Sequence, residues 1–167
     1  MSKLTLRSAL FAAAAGILIT IGGCAESPAL AARDTAEYRI VPAAPSAARA
    51  GDAASATIGA EGGALQAGGH KLVFPAGALS QPTRITLQAA GTGVVVQPHG
   101  LVFAAGREPV LTLDNTGVAV QGFRTLAIGY INEAGAIAEV LPTEVLGGGS
   151  KLRARLQHFS IYTAVGG

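Results

Sequence analysis

Between Ala56 and Leu87 no apolar run lasts more than a few residues before a glycine or proline interrupts it. The stretch reads Ala56-Thr57-Ile58-Gly59-Ala60-Glu61-Gly62-Gly63-Ala64-Leu65, then Gly68-Gly69, Leu72-Val73-Phe74-Pro75-Ala76-Gly77, Pro82 and Ile85-Thr86-Leu87. Glycine supplies positive φ and proline presets the turn, so corners of this kind join antiparallel strands and stop helices. Phe74-Pro75-Ala76-Gly77 fits a type I turn, with proline second and glycine fourth. After Ser55 no stretch of ten or more residues carries a 3.6-residue apolar period. The chain is therefore expected to be all-β.

The expected strands are Ala64–Gln66, Lys71–Phe74, Arg84–Ala89, Val94–Gln97, Leu101–Ala104, Val110–Asp114, Leu126–Asn132, Ile137–Leu141 and Lys151–Val165. Arg84-Ile85-Thr86-Leu87-Gln88 alternates, which gives one buried and one wet face. Val94-Val95-Val96 is apolar throughout and suits a strand covered on both faces. Gly147-Gly148-Gly149-Ser150 is the plainest turn. Short strands at regular spacing point to an antiparallel β-sandwich or barrel over residues 56–167, and the sandwich is the expectation adopted. With no tryptophan and only 5% aromatic residues, its core must come from valine, isoleucine and leucine.

The last strand contains a conflict. Lys151, Arg153, Arg155 and Gln157 alternate with Leu152, Ala154 and Leu156. Continued strictly, the alternation turns His158, Ser160 and Tyr162 inward and leaves Phe159 and Ile161 in water. Exposing both apolar residues is unfavourable, so either both faces are covered there or the register slips at His158-Phe159. A bend at that peptide bond is expected.

The N-terminus differs in kind. Met1–Arg7 carries two positive charges, and Ser8–Ile21 follows without any charge, too short for a membrane span of roughly 20 residues. The run ends in Ile21-Gly22-Gly23-Cys24, which resembles the bacterial lipobox. The resemblance implies a signal peptide over residues 1–23, cleavage before Cys24, and acylation of Cys24, which then holds the protein to a lipid bilayer outside the cytoplasm. Cys24 is the only cysteine, so no intramolecular disulfide forms. Residues 24–55 are rich in alanine and proline and carry no sustained period, the composition of a disordered tether; Tyr38-Arg39-Ile40-Val41 is the one segment in it expected to dock on the domain. Without Lys3 and Arg7 the chain has ten basic and ten acidic residues, so it lacks the basic face that nucleic-acid binding requires.

The domain itself resembles a ZU-five domain, the β-sandwich module of ankyrins, netrin receptors and tight-junction scaffolds that also occurs in bacterial secreted proteins. The matching residues are Ile58-Gly59-Ala60-Glu61-Gly62-Gly63, Phe74-Pro75-Ala76-Gly77-Ala78-Leu79, Gly100-Leu101-Val102-Phe103 before Pro109-Val110-Leu111-Thr112-Leu113, and His158-Phe159-Ser160-Ile161-Tyr162. Ala60 stands where the family often has proline, and no UPA, death or ankyrin-repeat partner follows. In some ZU-five and UPA domains the His-Phe-Ser tripeptide cleaves itself. That resemblance implies Ser160 as nucleophile, the Phe159 carbonyl as its target and His158 as proton carrier, chemistry that needs a strained bond and a nearby base. The alternative role of the tripeptide is packing of the final strand, and that is the expectation here.

No other constellation carries chemistry. Gly91-Thr92-Gly93 lacks the third glycine of a dinucleotide loop, Gly147-Gly148-Gly149-Ser150-Lys151 has the wrong order for a P-loop, and no G-x-S-x-G elbow occurs. His70, His99 and His158 lack ligand spacing, so neither a metal nor a cofactor is expected; His99 reads as part of a turn, Pro98-His99-Gly100. The expected function is that of a non-catalytic interaction or structural module on the cell envelope, with a protein or polymer partner.

Overall fold

The computed structural model describes residues 34–43, 51–101, 103–116, 118 and 120–167; Cys24, the expected signal peptide and much of the expected tether lie outside the described residues. In chain order the strands are β1 (Arg39–Ile40), β2 (Ala53–Ile58), β3 (Gly63–Ala67), β4 (His70–Phe74), β5 (Thr83–Ala90), β6 (Gly93–Gln97), β7 (Val110–Asp114), β8 (Leu126–Ile131), β9 (Ile137–Leu141), β10 (Glu144–Leu146), β11 (Lys151–Arg155) and β12 (Ile161–Gly166). They form two antiparallel sheets. One runs β2-β5-β6-β12-β8-β9, with β1 also paired to β12, and the other runs β10-β11-β7-β4-β3. The β-sandwich read from the sequence is the fold.

The core lies between the sheets and follows the two-residue alternation. Ile85 and Leu87 of β5, with Val94 and Val96 of β6, face Leu72, Leu111, Leu113 and Leu152 of the opposite sheet, all fully buried. Val95, between two buried valines, is only partly covered. β6 and β12 approach so closely at Gly93 that a Cβ there would run into the Tyr162 carbonyl, which excludes any side chain at this position.

Four features depart from the sequence reading. Leu101 and Phe103 are not in a strand; they lie in an irregular loop and pack against one side of the core. A further strand, β10, forms opposite β11. The turn after β4 is displaced by one residue: Ala78 N–H donates to the Pro75 carbonyl (3.1 Å), which puts Gly77, at φ 78°, in the third position. That conformation is cheap only for glycine. Finally, Lys151–Val165 is two strands in different sheets.

The domain also begins earlier than Ala56. β2 opens at Ala53, and Arg39–Ile40 pairs with Val165 and Gly166 of β12. Val41 is 0% exposed and belongs to the main core. Its N–H donates to Ala164 O (3.0 Å), and its carbonyl accepts from the buried Thr92 hydroxyl (3.1 Å). Since that proton is used, the Thr163 hydroxyl is the donor in its 2.8 Å contact with Thr92 Oγ1. Just before β1, residues Thr35–Glu37 make one 3₁₀ turn whose first donor, Ala36 N–H, bonds the Asp34 carboxylate (3.0 Å). Tyr38 packs on Ala127, Val140 and Val165, and the Arg39 guanidinium sits 5.9 Å from the Phe123 ring centroid.

Candidate functional site

The His158-Phe159-Ser160 tripeptide lies where the chain leaves one sheet and enters the other. Leu156 N–H makes the last bond to the five-stranded sheet side, donating to Pro109 O (2.9 Å). Val96 N–H makes the first bond on the far side, donating to Ser160 O (2.9 Å). Between them the backbone bends at Gln157, His158 and Ser160. Leu156, Phe159 and Tyr162 are all buried, an odd spacing that no straight strand can produce. The register conflict in the sequence is thus resolved by a crossover. It buries Phe159 (2% exposed) and leaves Ile161 at 36%.

Phe159 joins an aromatic cluster at the core. It meets Phe74 edge-on, with centroids 5.8 Å apart, and Phe103 at 5.1 Å in a tilted arrangement. His158 turns the other way. Its Nδ1 is 3.2 Å from Tyr162 Oη and its Nε2 is 3.8 Å from Glu139 Oε2, an ion pair when the imidazole is protonated. The Tyr162 hydroxyl donates its one proton to the His158 carbonyl (2.6 Å), so Nδ1–H is the donor toward the phenol oxygen. Tyr130 stacks edge-on against the imidazole, with centroids 4.8 Å apart. Burial, reinforced by Glu139 and Tyr130, pushes the Tyr162 pKa far up, so this phenol is a hydrogen-bond donor and not a base at neutral pH. The structure therefore groups His158 with Tyr162, Tyr130 and Glu139. Among the described residues His158 forms no hydrogen bond to Ser160.

The other histidines are remote from this cluster. His70 is buried on β4 and its Nδ1 accepts the Asp114 N–H (3.1 Å). Burial lowers its pKa, and the Asp114 charge opposes that shift in part. His99 is exposed in the turn after β6. Among the described residues, histidine, cysteine and carboxylate side chains nowhere gather in threes, as a metal centre would need. The Gly147–Gly149 segment joins β10 to β11 as a short turn kinked at Gly148, whose φ of 65° is left-handed.

A groove of about 1010 Å³ crosses the outer face of the five-stranded sheet. Strand register explains its composition. Glu144, Arg153, Thr112, Lys71 and Gln66 lie directly opposite one another on successive strands and form one polar row across the sheet. Arg153 pairs with Glu144 (3.2 Å), and Arg155 with Glu108 (3.7 Å). The Glu108 pKa is held down by its own backbone N–H and that of Gly106. The Leu141–Glu144 segment walls one side as it passes between the sheets, and no aromatic side chain lines the groove. Val73, Val110, Leu141 and Pro142 also line it, so the surface offers charged, hydrogen-bonding and apolar groups side by side, the mixture typical of a surface that binds another chain.

Neither the groove nor the tyrosines around His158 emerge from the sequence, because the residues of each are drawn from strands far apart in the chain. The spacing of His158 and Tyr162 gives no strand signal, since the bend between them removes the alternation. No protein-family model matches the chain, and no curated protein matches it. The ZU-five resemblance rests on the residues quoted for it.

Proposed function

We propose that this chain is a bacterial envelope lipoprotein that displays a non-catalytic, ZU-five-like β-sandwich outside the cytoplasm, held to a membrane through acylated Cys24. The observation that carries this reading is the uncharged run Ser8–Ile21 ending in Ile21-Gly22-Gly23-Cys24. Among the described residues no helix is long and apolar enough to cross a membrane. The groove on the outer face, lined by both charged and apolar side chains, supports binding of an envelope protein or polymer. In the detergent phase, wild-type protein has the mass of a chain starting at acylated Cys24, whereas Cys24→Ser carries no acyl mass and remains unprocessed, keeping residues 1–23. Membrane partitioning of a processed Cys24→Ser protein would refute the anchor.

One observation favours a second reading, self-cleavage of the Phe159–Ser160 bond: the backbone bends sharply on both sides of it. His158 is committed to Tyr162 and Glu139, so the packing role is the reading adopted. The same mass measurement, made under denaturing conditions, separates the two. Loss of Ser160–Gly167 that Ser160→Ala restores makes the domain self-processing.

A further inference from the structure

Among the described residues the two sheets end in four strands, β2 and β9 in one and β3 and β10 in the other, with the two-residue β1 attached to β12 off the main path. β9 carries Glu139 and has Tyr38 packed beside it through Ile137 and Val140. β10 is three residues long and carries Glu144. β3 shares a corner with β2 through the Gly59–Gly62 bridge. β2 is the longest of the four at six residues, Ala53-Ala54-Ser55-Ala56-Thr57-Ile58, and contains neither a charge nor a proline. Natural edge strands are normally blunted by lysine, proline, a bulge or a cover, because unpaired backbone groups otherwise recruit another strand. Among the described residues, β2 has none of these.

The backbone direction is fixed by one bond. Ala89 N–H donates to Asp52 O (2.8 Å), so Asp52 and Ala89 are a hydrogen-bonded pair. Antiparallel ladders alternate, so Ala54, Ala56 and Ile58 bond β5, and the N–H and C=O groups of Ala53, Ser55 and Thr57 point away from the sheet. The same three residues carry their side chains on the exposed outer face. There Ser55 Oγ bonds Thr86 Oγ1 (2.8 Å), and Gln97 lies opposite Thr86, which makes an uncharged polar row ending at the open edge.

We propose that β2 pairs antiparallel with β2 of a second copy of this chain, about a two-fold axis through Ser55. This register is self-complementary. Ser55 faces the partner's Ser55, Ala53 faces the partner's Thr57, and on the inner face Ala54 faces the partner's Ala56. The row Gln97–Thr86–Ser55 then continues into its own mirror image, and the nearest cation, Arg84 beside Thr57, meets Gln88 in its row across the axis and not another charge. Opposed hydroxyl and small apolar pairs are favourable in such ladders, and like charges are not brought together. The proposal commits to a second copy because this symmetry is a property of the strand itself. One strand pair buries less than a standard interface of roughly 1,600 Å², so the dimer is weak and concentration-dependent.

The test uses the full chain in detergent, with Cys24→Ser so that an introduced thiol is alone. Ser55→Cys is expected to give a disulfide-linked species of twice the mass under mild oxidation, because Cα atoms about 5.5 Å apart in a hydrogen-bonded pair suit a disulfide. Gln88→Cys, exposed on β5, is expected to give none. Sedimentation of the chain without introduced cysteines is expected to show a reversible dimer at concentrations approaching roughly millimolar. Ser55→Lys places two cations face to face and weakens that dimer about tenfold or more, with an unchanged unfolding midpoint. Ser55→Pro, which removes the outward N–H at a position where an edge strand tolerates proline, abolishes it. A strictly monomeric chain, equal cross-linking at positions 55 and 88, or a dimer indifferent to Ser55→Lys would each overturn the proposal.

Discussion

Replacing Val41 with alanine tests whether residues 34–43 belong to the cooperative fold. The side chain is fully buried among residues of both sheets, and the backbone on either side is bonded to Ala164 and Thr92. Val41→Ala deletes the equivalent of two methylene groups. The transfer loss is about 1.6 kcal/mol, and incomplete collapse of the site raises the total to about 2–3 kcal/mol. A domain of this size is stable by about 5–15 kcal/mol, so the change is large. In urea, with a slope of about 1–3 kcal/mol/M, the midpoint falls by about 1 M or more while the slope stays constant. Unfolding is followed by far-ultraviolet circular dichroism, with Ile40→Ala as the control, since Ile40 is 46% exposed. A Val41→Ala midpoint within the error of the Ile40→Ala midpoint would refute the reasoning. The segment would then open independently of the sandwich.

Two further perturbations probe the buried polar groups. The folded-state pKa of His70 is depressed, so its contribution to stability is present above its unfolded value of about 6.5 and is lost as the pH falls below that value; His70→Asn, whose Oδ1 accepts the Asp114 N–H in place of Nδ1, flattens the unfolding midpoint between about pH 6.5 and 5, and superimposable profiles would contradict this. Tyr162→Phe removes the 2.6 Å donor to the His158 carbonyl and leaves that carbonyl short of a buried partner; denaturant unfolding is expected to lose about 1–3 kcal/mol, and a loss below about 0.5 kcal/mol would show that the phenol does not secure the crossover.

The sandwich was legible because alternation and glycine corners are local signals. Arg84–Gln88 shows both, and β5 forms there. Leu101–Ala104 shows the same apolar content, but its residues are used to close one side of the core, a tertiary demand that no local pattern encodes. Tyr38–Val41 was legible only as an interruption in a polar segment. Its partners lie far along the chain: Thr92, whose hydroxyl bonds the Val41 carbonyl, is 51 residues on, and Ala164, which accepts the Val41 N–H, is farther still. At the crossover, the sequence located the fault in the alternation at His158-Phe159 but not its resolution. A bulge and a change of sheet satisfy the same burial pattern, and only the pairing of β12 with β6 and β8 decides between them. The groove was invisible for a related reason: its polar row is one residue per strand.

The docking of β1 alters the reach of an anchored protein. From Cys24 to Asp34 the chain has ten peptide steps, which span at most about 35 Å however they are arranged. A chain free as far as Ala53 would have nearly three times that contour. If Cys24 is acylated, Asp34 stays within that radius of the bilayer, and so does the end of the sandwich where it emerges, beside Gly167 and Thr125. The opposite end, with the His158–Ser160 crossover and the Asn132–Gly135 hairpin, is the one with freedom to meet whatever lies farther from the membrane.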